Sequence, residues 1–242
     1  MRCRPATILF SFALWFAAGS AAVAGPWARE AGETFLAFSV SADAPAVSLV
    51  AGDAVLDRYA SLYAEHGIGR RSTLGAQLGR GGTDREAVVF LRYTVTAPEA
   101  PWQLAFDGGV GFRTEAASAD RRLLRLGASV GRGFGGLDAP RWWLPIRHEG
   151  GWATLDVSGM VDLETEEVIW QAEGTLGMSL SERLRLMLQL KAEEWPGSDA
   201  AYTVTPSAAW SLNSRTTAQV GLRMGVGDDP TLGLTLGLWR SF

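Results

Sequence analysis

In the stretch RLRLMLQLK, Leu184, Leu186, Leu188 and Leu190 take every second position, and Arg185, Met187, Gln189 and Lys191 take the positions between them. A helix of 3.6 residues per turn would scatter these leucines round its circumference, whereas a strand gathers them on one face. The alternation returns in about twelve segments, each near the nine to eleven residues that a tilted strand needs to cross bilayer hydrocarbon. In AVVFLRYTVTA, Val89, Leu91, Tyr93 and Val95 oppose Phe90, Arg92, Thr94 and Thr96. In WQLAFDGGVGFR, Trp102, Leu104, Phe106 and Val110 oppose Gln103, Ala105, Asp107 and Gly109. Leu124, Leu126, Ala128 and Val130 oppose Arg125, Gly127, Ser129 and Gly131; Leu155, Val157, Val161 and Leu163 oppose Asp156, Ser158 and Asp162. The chain ends in the same way, with Leu232, Leu234, Leu236 and Leu238 before a terminal Phe242.

Which face is inside decides the fold class. A water-soluble sandwich buries its apolar face. Here the other face carries Arg92, Asp107, Arg125, Asp156, Glu173, Arg185, Lys191 and Arg223 on successive strands. A soluble fold could only expose them, because burying so many charges is costly. The reading adopted is an all-β, antiparallel, up-and-down transmembrane barrel of about twelve strands, with lipid outside and those eight charges lining the lumen. Closure leaves no sheet edge and pairs every backbone group within the protein, as hydrocarbon demands. Trp102, Tyr93, Trp170, Trp195, Trp210 and Tyr202 fall near strand ends, where aromatic girdles belong. The connection around residues 134–151 is unusually long for its side of the barrel, so it is either an irregular element or a miscounted strand.

The first residues read as an export signal. Arg2 and Arg4 precede an apolar run from Ala6 to Ala18, and Ala22-Val23-Ala24 fits the small-x-small cleavage pattern. Residues 1–24 are therefore expected to be a signal peptide, removed before Gly25, and residues 25–242 the barrel. The run is short for a membrane-spanning anchor. Cys3 is the only cysteine and lies in that leader, so a mature chain has no disulfide and no thiolate metal site. Of 22 basic residues, two are Arg2 and Arg4, which leaves 20 against 26 acidic ones. That balance, without a basic run, argues against nucleic acid as a partner.

The final strand, with Leu234, Leu236, Leu238 and Phe242, resembles the C-terminal signature by which bacterial outer-membrane β-barrels engage the barrel-assembly machinery; Arg240 stands where an apolar residue is usual. The resemblance implies an outer-membrane protein of a Gram-negative bacterium, with Phe242 as its assembly signal and lipid as its surroundings. YAEHGIGRRSTLG, residues 63–75, resembles the strand–turn–strand pattern Y-x-E-x-G-[IL]-x-x-R-x-T-L-G of small outer-membrane proteins. These are grouped with porin-like barrels and phenol-degradation transporters of the MetA pathway, which implies transport of small solutes.

Twelve strands about 4.8 Å apart and tilted about 40° give a backbone diameter near 24 Å, leaving roughly 10–14 Å of bore between side chains. The short stretch between Gly25 and the first strand is too small for a plug domain. Inward glycines, including Gly109, Gly127, Gly131, Gly177 and Gly221, leave room for water or for long arginines. The mixed inward charges suit either a structural ion-pair network or a charged eyelet that selects solutes. Catalysis has little to work with. His66 follows Glu65 in outward phase, and His148 has no serine nearby in sequence. No catalytic residue, metal site or cofactor is assigned, and GRGFGG at 131–136 opens no helix that would make it a nucleotide loop. A passive channel for small solutes is the leading expectation. An outer-membrane lipid hydrolase and a closed barrel acting in adhesion through its loops are the alternatives. Composition names neither the solute nor the oligomeric state.

Overall fold

The computed structural model describes residues 25–82, 84–114, 120–135 and 148–242. The expected leader, 1–24, lies outside the described residues, as does most of the 134–151 connection. Twelve strands follow one another: β1 Thr34–Pro45, β2 Asp57–Gly67, β3 Ser72–Gly81, β4 Asp84–Thr94, β5 Gln103–Thr114 and β6 Arg121–Gly135, then β7 Gly150–Asp162, β8 Val168–Ser179, β9 Leu184–Glu194, β10 Ala201–Ser211, β11 Thr216–Val226 and β12 Thr231–Ser241. A short helix, α1 Ala46–Ala51, sits in the connection between β1 and β2. Each strand pairs antiparallel with the next, and β12 returns to β1 to close the barrel. The seam runs from Phe35↔Ser241 to Pro45↔Thr231. It is extended by Phe242, whose N–H donates to the Thr34 carbonyl at 2.9 Å.

The period-two pattern sets the two faces. Val110, Leu126, Leu155, Leu190, Leu222 and Leu236 stand on the outer wall, each about half exposed. In water a continuous belt of this kind would drive association; in hydrocarbon it is simply solvated. Among the described residues no helix is long and apolar enough to cross a membrane. Tyr93, Trp102 and Trp210 ring the outer wall at the end where the termini lie, and Trp170 and Tyr202 ring it at the other end, all about half exposed. Trp195 departs from the expected girdle. It packs against Val88, Leu123, Met160 and Ile169 inside the barrel, under the Arg113 guanidinium at 4.1 Å. A strand-end position brings an aromatic to the membrane boundary but does not choose between the two sides of the wall.

The question about residues 134–151 resolves at its ends. Gly135 is the register partner of Gly150, so β6 and β7 are direct neighbours in the closed barrel. One ladder is interrupted. The β10–β11 register passes from Val204↔Met224 to Ser207↔Gly221, skipping Thr205 and Pro206. Proline has no N–H to give, so the pairing lapses where it stands.

Candidate functional site

The stretch before β1 corrects the expectation of a lumen without a plug. Too short to be a domain, residues 25–33 instead enter the barrel from the end where the termini lie. Arg92 Nη1 donates to the Gly25 carbonyl at 2.9 Å, and Thr94 Oγ1 donates to the Pro26 carbonyl at 2.7 Å. The Arg29 N–H donates to Thr73 Oγ1 at 3.1 Å, while Gly32 and Gly67 are joined through a backbone bond of 2.8 Å. A buried carboxylate holds the centre. Glu65 receives Arg29 Nε at 2.6 Å on one oxygen, and on the other Arg92 Nη1 at 2.6 Å and the Tyr63 hydroxyl at 2.5 Å. Arg29 also lies 4.4 Å above the Phe35 ring. Charges so well hidden from water are tolerable only because opposite charges meet and further hydrogen bonds reach them, although Arg92 Nε is left without a partner among the described residues.

The local sequence explains the seat. The stretch YAEHGIGRRSTLG turns out to be the cradle for this segment. Tyr63 and Glu65 supply the clamp, and Thr73 supplies its hydroxyl. A side chain at Gly67 would strike the Glu30 carbonyl, and one at Gly75 would strike the Phe90 ring. Across the lumen, a Cβ at Gly131 would come within 2.7 Å of Trp27, and one at Gly177 would collide with Trp152. The inward glycines thus make room for aromatic rings and for the segment itself.

Together these groups fill one half of the interior. At the end away from the termini, Val88, Leu123, Met160, Ile169 and Trp195 form an apolar cluster. Beside it Arg113 is paired with Glu86. Deeper in, Arg125 Nε meets Asp107 Oδ1 at 2.9 Å. The other half, walled mainly by β1, β2 and β8–β12, stays open. A cavity of about 360 Å³ is lined by Ser39, Ser61, Glu173, Gln189, Lys191 and Arg223, among others. A second cavity of about 420 Å³ opens at the terminal end around Arg183, Arg185, Asn213 and Arg215. Trp239 lines both, and with Trp27 it packs on a cluster of Trp152, Met187 and Ala209. Trp239 thus marks where the two cavities adjoin.

The eight charges singled out from the sequence fall into two groups. Arg92, Asp107 and Arg125 lie in the filled half, tied to Glu65 and to each other. Glu173, Lys191 and Arg223 border the inner cavity of about 360 Å³, and Arg185 the terminal one. Lys191 pairs with Glu193 at 2.6 Å, Arg223 with Asp43 at 3.4 Å, and Glu173 accepts from Gln189 at 2.9 Å. Arg185 reaches Ser211 Oγ at 3.4 Å. Asp156 is half-buried beside Glu173 in register on β8. Glu65, Arg29, Tyr63, Glu86 and Arg113 were not singled out, although Glu65 shares the inward phase of Tyr63 and sits in the recognisable turn motif. His66 is on the outer wall, where its Nδ1 meets Thr34 Oγ1 at 2.8 Å. Among the described residues neither histidine is hydrogen-bonded to a serine.

No family model and no curated protein matches the chain. Solved structures do. The KdgM porin superposes with a TM-score of 0.56 at 8% identity, over 85% of this chain and 99% of that one. The KdgM porin in complex with disordered oligogalacturonate gives 0.58 at 8% identity, over 86% and 99%. An outer membrane channel from Pseudomonas putida F1 gives 0.55 at 16% identity, over 89% and 97%. At these identities the likeness is one of fold. This chain has the closed, twelve-stranded β-barrel fold of outer-membrane porins and channels.

Proposed function

We propose that the chain is an exported outer-membrane channel through which small solutes diffuse passively along the open half of the lumen, with residues 25–33 setting the bore. The observation that carries this reading is the polar cavity bordered by Glu173, Lys191 and Arg223, lying beside a segment pinned by Glu65. A narrow passage with fixed charges on its wall ranks solutes by size and sign without any catalytic group. Selection then falls to Glu173, Lys191, Arg223 and Arg185, while Arg92 holds the filler in place and Asp107 and Arg125 pair with each other in the filled half. Three fold neighbours are porins or channels, one of them in complex with oligogalacturonate, which supports passage of hydrophilic solutes as the class to test first.

Planar-bilayer conductance of refolded protein, over a series of neutral solutes of increasing size, tests it. A small conductance is expected that the smallest solutes, which enter the bore, diminish and that larger, excluded solutes leave unchanged. Absence of conductance both in the native chain and in a variant lacking residues 26–31 would overturn the reading.

The same reading makes residues 1–24 a cleaved leader. N-terminal sequencing of protein recovered from the outer membrane should begin at Gly25, the residue whose carbonyl Arg92 holds. It also makes Phe242 the assembly signal. Deleting Phe242 should lower the amount of barrel in the outer membrane while leaving refolding in detergent far less affected, whereas Phe242→Tyr should assemble normally. Equal assembly of the deletion would detach the ending from this role.

A further inference from the structure

The outer wall carries an arrangement that the passage of solutes does not use. Across β12, β1, β2, β3 and β4 the register aligns Leu236, Val40, Ala60, Arg80 and Arg85 in one row, all on the outward face. The neighbouring row aligns Leu234, Ala42 and Arg58. Apolar wall therefore passes directly into three arginines. A shallow groove of about 560 Å³ follows the same line, lined by Val40, Ala42, Ala60, Leu234 and Leu236 with Arg58 and Arg80 along it. The small Ala42 and Ala60 form its floor.

The arginines are placed against their own electrostatics. Arg80 and Arg85 face each other as direct cross-strand partners, a position where like charges repel. Arg58 lies one diagonal step from Arg80. All three are exposed, and none forms an ion pair with a described residue. The acidic neighbours Asp57 and Asp84 alternate to the opposite phase of their strands. Arg80 and Arg85 also flank a connection of only two residues, which sets them at the rim where the apolar belt ends. This rim is opposite the termini, so under the reading above it meets the outer leaflet.

We propose that Arg58, Arg80 and Arg85 bind a phosphate of a phosphorylated, acylated glycolipid of the outer leaflet, whose acyl chain lies in the groove between Ala60 and Leu234. Three guanidiniums within reach of one anion offer charge-assisted, forked hydrogen bonds, which suit phosphate better than any other common lipid group. The ligand also relieves the Arg80–Arg85 repulsion that the protein leaves standing. Continuity of the groove with the lipid-facing wall makes the occupant a lipid rather than a soluble anion. The proposal takes its membrane orientation from the channel reading but does not depend on the lumen being open.

Native mass spectrometry of the whole purified protein in detergent, titrated with bisphosphorylated lipid A, reads the binding directly. The parallel probes are lipid A stripped of both phosphates, inorganic phosphate, and phosphatidylglycerol. Binding of the bisphosphorylated form at least about tenfold tighter than the other three is expected, and a R58Q/R80Q/R85Q triple variant should lose about that factor, the scale of a charge-assisted contact or more. R80K/R85K should fall between the two, having charge without the fork. Ala60→Trp, which fills the groove and keeps every charge, should weaken lipid A and leave any residual response to inorganic phosphate unchanged. Unaltered binding by the triple variant, shown to be folded by its heat-modifiable gel migration, overturns the site. Equal binding of phosphatidylglycerol overturns the glycolipid, and equal binding of inorganic phosphate overturns the acyl groove. Conductance should be the same in all these variants, so a closed lumen would count against the channel and not against this site.

Discussion

The two halves of the lumen are built from the same alternating strands, yet one is packed like a protein interior and the other is left to water. On the filled side the side chains are closely engaged: Glu65 has three hydrogen-bonding partners, and Trp27 sits in the space left by Gly131. On the open side the inward groups are short hydroxyls and amides, with charges that pair singly and remain partly exposed, as Lys191 does with Glu193. The difference teaches that inward charge in a barrel has no single meaning. A charge locked between two others serves architecture; a charge at the edge of a cavity can act on whatever passes.

The sharpest way to break this contrast is at Glu65. Glu65→Gln keeps the shape and removes the charge that the buried Arg29 and Arg92 guanidiniums share. Removing one partner from such a cluster costs about 3–5 kcal/mol, so equilibrium unfolding in detergent should show a loss of that order, or the segment should leave the lumen and conductance should rise severalfold. A variant unchanged in both respects would show that the filled half is not clamped. Steric substitution separates the halves next. Gly131→Val should cost about 1–3 kcal/mol by overpacking against Trp27, whereas Thr203→Leu, which projects into the open cavity, should stay within about 0.5 kcal/mol while lowering conductance. Equal unfolding midpoints for the pair would mean the two halves are packed alike. The smallest effect on stability is expected at Lys191. Lys191→Gln removes a partly exposed pair worth roughly 0–1 kcal/mol, yet it should move the reversal potential in a salt gradient toward cations. No shift would take Lys191 out of the selecting set.

Much of the wall was legible in the chain, and the filler was not, for a physical reason. Strand faces follow from a period of two that repeats across each segment, so the outward Leu188 and Leu190 and the inward Gln189 and Lys191 are separable by counting. Residues 25–33 have no period to read, and their place depends on contacts with strands far along the chain, to Arg92 and Thr94 above all. The turn motif at 63–75 could be recognised as a pattern before it could be understood. Its Tyr63, Glu65, Gly67, Thr73 and Gly75 make sense only once Arg29, Glu30 and Phe90 stand beside them. Trp195 was misplaced because proximity to a strand end fixes height along the barrel and leaves the side of the wall undecided. The arginine row was equally hidden, since Arg58, Arg80 and Arg85 become neighbours through register and not through sequence.

The pairing of Thr34 with Phe242 joins residues separated by almost the whole chain, and this bears on the order in which the protein folds. Contacts between sequence-distant segments carry the greatest chain-closure cost and form late. Every other seam in the barrel joins consecutive strands and can zip locally, so β1 and β12 are the last to meet. Residues 25–33 lead directly into β1 and end up enclosed by the ring that β1 completes. The cheapest route seats them on β2, β3 and β4 while the cylinder is still an open sheet. Closure then traps them, with no later step in which a tethered strand end must be threaded back through a finished pore.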